Sequence, residues 1–350
     1  MAATIKEQEM SVTSVRFEVV PNWEKCPSGD EYSHQDVAGV ACDAQDRVYL
    51  HTRKAERVMV YDTDGNFIKK WGDGVFNRAH GITIHDDLVY CTDDQDSVIR
   101  VFDLDGNFQW MLGEPRQVTD TGYGSIRGRK PEIHHNEFVE RSAGPFNCCC
   151  NVCIAANKDM FVADGYGNAR IHHFSPKGEL LNSWGDVGTG PGEFHLPHGI
   201  ALDREENVIV CDRENDRLQF FDRSGKFLAM WTDVLRPTDV VIDKDGLIYV
   251  SELWRPLEPG QGSFVHGFAD HDLPGRVSVF NPQGDIVARW GGDSTNRSAP
   301  GNFIAPHALA IDSVGSLYVA EVSMSFGAGF KRIAAEECID HQIQKFRRVD

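Results

Sequence analysis

The sequence predicts an all-β chain folded as a six-bladed β-propeller of four-stranded units. Three observations carry this. A unit of alternating strands recurs along the chain, most units close on a tryptophan, and an alternating segment near the start is left over to complete the last unit. The clearest unit, residues 194–231, reads FHLPHGIALDREENVIVCDRENDRLQFFDRSGKFLAMW. Its period-two alternation, broken by Asp, Asn and Gly, is that of a small antiparallel sheet.

In chain order, the first blade spans Val37 to Trp71 and the second His80 to Leu112. The third carries MFVADGYGNARIHHFSPKGELLNSW and ends at Trp184; the fourth is the unit quoted above. The fifth runs from Thr238 to Trp290, with LIYVSE and RVSVFNPQGDIVARW separated by a Gly/Pro-rich insertion. The sixth starts at His307, finishes near HQIQKFRRVD and lacks an outermost strand. Residues 11–23, SVTSVRFEVVPNW, have that strand's alternation and end in Trp23. They are expected to pair with the last blade, close the ring and remove its free edges, so that residues 1–350 form one domain.

The terminal tryptophans, Trp71, Trp184 and Trp231, are expected to fill space between sheets. Gly65, Gly106, Gly178, Gly225 and Gly284 fall in hairpin turns, where positive φ costs only glycine nothing. No strand-to-helix context makes any of them a phosphate loop. Three insertions, near 115–146, 253–275 and 323–340, exceed ordinary strand connections and are expected to shape a binding face.

Composition narrows the partners. Fifty-three acidic residues against 35 basic ones give a net charge of −18, which disfavours nucleic acid and anionic lipid. No apolar run reaches the roughly 18 residues of a membrane span, and MAATIKEQEM does not read as a secretory signal. The nine cysteines, four of them crowded at Cys148, Cys149, Cys150 and Cys153, form no regular disulfide framework. A reduced, cytoplasmic location is expected, with a small molecule as the partner.

His80, His198 and His307 occupy one register, beside AHGI, PHGI and PHAL, in the second, fourth and sixth blades. Innermost strands run beside the channel, and alternate blades of a six-fold ring stand about 120° apart. Three imidazoles at equal depth then converge as the base of a tetrahedral metal site with an open position. The odd blades carry Ala38, Cys150 and Thr238 in that register, so the repeat itself does not demand histidine. Zinc suits this donor set; iron, cobalt or manganese also bind imidazole. Cys150 is expected to be channel wall.

At the end of each second strand stand Arg53 in HTRKAER, Asp164 and Tyr166 in ADGYGN, and Asp212 and Arg213 in CDREND. Two guanidinium groups beside a metal are suited to clamp a carboxylate or stabilise an alkoxide. A phenol in that field is expected to have a depressed pKa and to act as a base. Asp164 and Asp212 recur as Asp93, Glu252 and Glu321 in other units. Such repetition points to architecture, receiving loop N–H groups, or to orienting the imidazoles from behind.

The repeats look like the NHL class of propeller unit. Over residues 37–346 the chain resembles the peptidyl-α-hydroxyglycine α-amidating lyases, the lyase domain of peptidylglycine α-amidating monooxygenase. The resemblance rests on ADGYGNARI, GTGPGEFHLPHGIAL and CDRENDRLQFF, with AHGI around His80 and APHAL around His307. It implies zinc on His80, His198 and His307, a catalytic tyrosine at Tyr166, and active-site arginines at Arg213 and, by a looser alignment, Arg53. The family also holds a structural calcium, partly through an aspartate directly after the third histidine. Ala308 stands there, which leaves calcium doubtful or its site rebuilt. Gly167 replaces a disulfide cysteine that follows the tyrosine in the family, whose members act in secretory compartments.

The implied reaction is carbon–nitrogen cleavage of R–CO–NH–CH(OH)–COO⁻ to an amide and glyoxylate, without consuming water. Zinc would make the substrate hydroxyl more acidic, Tyr166 would take its proton, and Arg53 and Arg213 would hold the carboxylate. Two other classes compete: a metal-dependent hydrolase or lactonase, and a non-enzymatic NHL-type interaction platform.

Overall fold

A computed structural model describes residues 15–123 and 139–349. Six four-stranded antiparallel sheets are arranged as blades around a central channel, and the chain is a six-bladed β-propeller. The inner strands are Val37–Cys42, Ala79–His85, Cys149–Ile154, Pro197–Leu202, Pro237–Ile242 and Pro306–Ile311. Second strands follow at Val48–Thr52, Leu88–Asp93, Met160–Asp164, Val208–Asp212, Ile248–Glu252 and Leu317–Glu321. All but one residue of these second strands are buried, so they read as continuous apolar runs sandwiched between neighbouring blades.

Blade six is built from both ends of the described chain. Arg16–Val20 pairs antiparallel with Ile343–Val349 as the outermost strand. The closing strand is thus shorter than the 11–23 segment read from sequence, of which residues 11–14 lie outside the described residues. Trp23 does not end this strand. It follows a turn in which Asn22 has φ 50°, and its ring sits between blades six and one, against Tyr318 and Tyr61.

The remaining terminal tryptophans seal the seams between blades. Trp71 meets Phe102 of the next blade at 4.9 Å between ring centres, Trp184 meets Phe221 at 5.8 Å, and Trp231 and Trp290 meet Phe280 and Phe346 at 5.4 Å. In blade two the matching position is Leu112, which packs in a cluster with Phe174. In the blades that follow Trp71, Trp184 and Trp231, the hairpin glycine lies under the indole. At Gly106, Gly225 and Gly284 a Cβ would meet the tryptophan ring at 2.5, 2.6 and 2.9 Å. Glycine is required there both by positive φ and by lack of room.

The second and third insertions meet on one side of the ring. Arg332 forms two hydrogen bonds with Glu258 at 2.8 and 2.7 Å, and Trp254 lies 6.0 Å from Phe326. The third adds a π-helical turn, Met324–Ala328, and a short α-helix, Ala335–Ile339. Within the first, residues 124–138 lie outside the described residues. All nine cysteines are unpaired thiols. Among the described residues no helix is long and apolar enough to cross a membrane.

Candidate metal and active site

Each inner strand bulges just inside its first residue. The pairing slips between Val37 and Gly39, Ala79 and Ile82, Cys149 and Asn151, Pro197 and Ile200, Pro237 and Asp239, and Pro306 and Ala308. A bulge leaves a residue outside the ladder and re-aims its side chain. The residue at the slip is Ala38, His80, Cys150, His198, Thr238 or His307 in turn. This turns one side chain per blade toward the axis, and in the even blades that side chain is an imidazole.

The three rings converge. Their centres lie 4.8 Å (His80–His198), 4.9 Å (His80–His307) and 4.7 Å (His198–His307) apart, and one nitrogen from each lies within 4.8 Å of the others. Each Nδ1 is tied to the backbone of the next, odd-numbered blade: His80 to Cys150 O at 2.6 Å, His198 to Thr238 O at 2.6 Å, and His307 to Ala38 O at 2.7 Å. A carbonyl only accepts, so Nδ1 carries the hydrogen and Nε2 is left with its lone pair. Burial drives all three imidazoles well below the usual histidine range and keeps them neutral.

Tyr166 closes the site from above. Its hydroxyl lies 3.1 Å from Nε2 of His80, 3.1 Å from Nε2 of His198 and 3.4 Å from Nη1 of Arg213. One phenolic hydrogen cannot serve two imidazole lone pairs at once. Three lone-pair donors gathered around one point, on neutral rings of fixed tautomer, are what a divalent cation needs, so these histidines can hold a metal. The Tyr166 pKa is not depressed as the sequence suggested. Burial raises it, and the opposing pull of Arg213 is too weak to reverse that.

Arg213 follows its second strand directly, with its guanidinium carbon 5.4 Å from the centre of the Tyr166 ring. Burial works against its charge, but Glu214 and Tyr166 outweigh that and raise its pKa. Glu214 is fully buried and bridges guanidiniums: its Oε1 accepts from Arg213 at 2.8 Å and from Arg236 at 2.7 Å, and Arg255 lies 3.7 Å from Oε2. Arg255 also binds Asp216 at 2.7 Å. None of these four flanking residues stood out in the sequence.

Arg53 reaches the site from blade one. Its Nε donates to Ala79 O at 3.2 Å, the residue before His80, and Nη1 donates to Ser325 Oγ at 3.3 Å, with Asp36 3.6 Å away. Nη2 is buried without a partner.

The recurring acids lie away from the imidazoles. Asp164 accepts Asn147 N–H at 3.0 Å, Asp212 accepts His195 N–H at 2.8 Å, and Glu321 accepts Ile304 and Ala305 N–H at 2.8 Å. Backbone carbonyls, rather than these carboxylates, orient the histidines. Cys150 takes part through its carbonyl, which also accepts from Thr92 Oγ1 at 2.7 Å; burial raises its thiol well above the usual range.

The next layer along the axis carries Asp239 and Asn151 beside Gly39, Gly81 and Ala308. Asn151 Nδ2 donates to Asp239 Oδ1 at 3.3 Å, and Leu309 N–H donates to Oδ2 at 2.9 Å. An aspartate therefore lies in the layer where Ala308 has none, one blade away. Gly167 leaves no room for a cysteine, since a Cβ there would meet Asn147 Oδ1 at 2.2 Å.

Register reveals one more pair. The residues directly after the six second strands are Arg53, Asp94, Gly165, Arg213, Leu253 and Val322. Asp94 thus holds in blade two the position that Arg53 and Arg213 hold in theirs. Its Oδ2 is bound by Arg78, its Oδ1 is buried without a partner, and both residues act electrostatically on Tyr166. Aligning the ends of the second strands in the sequence would have found it.

Comparison with known proteins fits this picture. A family model described as a 6-bladed beta-propeller matches residues 146–265. Human NHL repeat-containing protein 3 is 26% identical over 315 residues, 81% of this chain and 84% of that protein. Peptidyl-alpha-hydroxyglycine alpha-amidating lyase 1 of Drosophila melanogaster is 28% identical over 268 residues, 72% of this chain and 44% of that protein. Rat peptidylglycine alpha-amidating monooxygenase is 26% identical over 65% of this chain, and the match spans 26% of its length. The relatives thus include a protein named for its NHL repeats and one named as a lyase.

Solved structures add the fold alone. A streptogramin B lyase (TM-score 0.55, 11% identity) covers 96% of this chain and 98% of its own. A putative gluconolactonase (TM-score 0.55, 13% identity) covers 94% of both.

Proposed function

We propose that the chain is a metal-dependent lyase that cleaves the C–N bond of an α-hydroxyglycine-like carbinolamide to an amide and glyoxylate. The observation that carries this reading is the position of the Tyr166 hydroxyl, 3.1 Å from two of three converging imidazoles and 3.4 Å from Arg213. A divalent metal on His80, His198 and His307, zinc by the donor set, supplies Lewis acidity toward the substrate hydroxyl.

The chain's own residues do the rest. Tyr166 is the group placed to take the hydroxyl proton at its oxygen; Arg213 pulls toward the phenolate this requires, against the burial that raises the phenol's pKa, and a cation on the three histidines would add to that pull. Arg213 and the free Nη2 of Arg53 receive the substrate carboxylate and the charge that develops as the carbonyl forms. The C–N bonding pair passes to nitrogen, which is protonated as it departs.

A second reading, a metal-dependent hydrolase on a small ester or lactone, draws support from the carboxylate of Asp94 at the same level of the ring. The two separate on one measurement. Purified, metal-loaded protein supplied with N-benzoyl-α-hydroxyglycine and ureidoglycolate should release glyoxylate in equal amount to the amide formed. Turnover of lactones with no glyoxylate from either compound would overturn the lyase reading.

A further inference from the structure

Two buried polar atoms have no partner, Arg53 Nη2 and Asp94 Oδ1, and they belong to residues that follow the second strands of neighbouring blades and act on each other electrostatically. The arginine belongs to the lyase reading above; the carboxylate is not used by it. Asp94 is wholly buried, yet only Oδ2 is occupied, by Arg78, whose side chain is 29% exposed. The ion pair holds the carboxylate in place and leaves the other oxygen open. Burial raises the Asp94 pKa, and the adjacent Arg78 opposes it.

An unpaired buried acceptor is costly, and native structures rarely keep one without use. Its place in the ring says what that use is. Asp94 follows Asp93 as Arg213 follows Asp212, so it holds the register position of the two arginines, and it acts electrostatically on Tyr166. Blades five and six carry Leu253 and Val322 at this level, packed in one apolar cluster. The mouth is therefore polar on one side only, with an open donor and an open acceptor on adjacent blades.

We infer that Asp94 accepts a hydrogen bond from a donor on the substrate's leaving portion, and that the preferred substrate is a small carbinolamide with a free carbamoyl N–H₂ rather than a donor-less acyl group. The inference rests on the lyase reading. For a ureido substrate the step balances as H₂N–CO–NH–CH(OH)–COO⁻ giving H₂N–CO–NH₂ and OHC–COO⁻. The O–H and C–N bonds break, the C=O and N–H bonds form, and the hydroxyl proton ends on the departing nitrogen. Arg78 is the positioning residue for Asp94. A site built to bind a donor rejects an analogue that lacks it strongly, because the acceptor is then left unpaired.

The test compares kcat/KM on three compounds: ureidoglycolate, its N′,N′-dimethylcarbamoyl analogue, and N-benzoyl-α-hydroxyglycine. Wild-type protein should prefer ureidoglycolate over the other two by roughly 100-fold or more. In Asp94→Ala the preference should fall to within a few-fold, with metal content retained; should that variant not fold, the dimethyl analogue on unmodified protein asks the same question. Equal or better turnover of the benzoyl or dimethyl compound by wild type overturns the inference and leaves the lyase reading standing. So does a preference that survives in a folded Asp94→Ala. Absence of glyoxylate from all three compounds overturns the lyase reading itself.

Discussion

His80 and Cys150 meet across the seam between blades two and three, the imidazole Nδ1–H donating to the cysteine's carbonyl oxygen at 2.6 Å. The same bond recurs from His198 to Thr238 and from His307 to Ala38, so each imidazole is aimed by the backbone of a neighbouring blade. A metal bound on the axis would tie all six blades together. Stripping it with a chelator should lower the thermal midpoint, and adding zinc should restore it. At a free metal concentration 100 times the Kd, linkage supplies about 2.7 kcal/mol. His307→Ala should abolish both the zinc-dependent shift and stoichiometric metal by elemental analysis. Equal metal content in that variant would remove the site from the axis.

Tyr166→Phe deletes only the hydroxyl. Glyoxylate release should fall by about 10²- to 10⁴-fold, the usual contribution of a positioned proton acceptor. Bound metal should remain, since the histidines keep their carbonyl partners. A variant with unchanged kcat would assign the proton transfer elsewhere.

Glu214→Ala should be strongly destabilising. It leaves Arg213 and Arg236 buried opposite each other with no carboxylate between them. Losing one partner of a buried pair costs about 3–5 kcal/mol, readable as a lower urea midpoint. A shift below about 1 kcal/mol, the range of an exposed pair, would show that solvent reaches the cluster.

Asp239 gives the pH test. Burial raises its carboxyl from 3.8 to about 7, against the opposing hydrogen bond from Leu309 N–H. Since the folded pKa lies above the unfolded one, the protonated form is the stabilising one. That contribution is complete below about pH 4 and is lost as the pH rises to about 7. Asp239→Asn removes the titration, so its stability relative to wild type should rise across this window, by up to about 4 kcal/mol if the shift is expressed in full. Parallel stability curves for the two proteins would rule out the raised pKa.

Much of the architecture was legible because a propeller repeats its local rules. The tryptophan that ends a blade, the glycine in its hairpin turn and the strand left over for blade six all follow from alternation and spacing; the contact of that glycine with the preceding blade's indole does not. The common register of His80, His198 and His307 was equally plain. The bulge that turns them inward was not, because it falls within the first residues of each strand, before any alternation has been set up whose phase it could shift. Tyr166 was misjudged for a related reason: the sequence names its charged neighbour but not the depth of burial that outweighs it. Asp94 was missed because only its neighbour Asp93 recurs among the strand-end acids, and that recurrence marked Asp93 as architecture, binding loop N–H groups.

Blade six is assembled from the two extremes of the described sequence, and it also supplies the third imidazole. During synthesis Arg16–Val20 emerges early and must wait, with one edge bare, until Ile343–Val349 has been made. His307, on the last inner strand to be made, is also the last of the three rings to arrive, and it settles against Ala38 of the first blade. Half-made chains therefore have no complete ion-binding centre, and ion capture should report that the circle has been sealed.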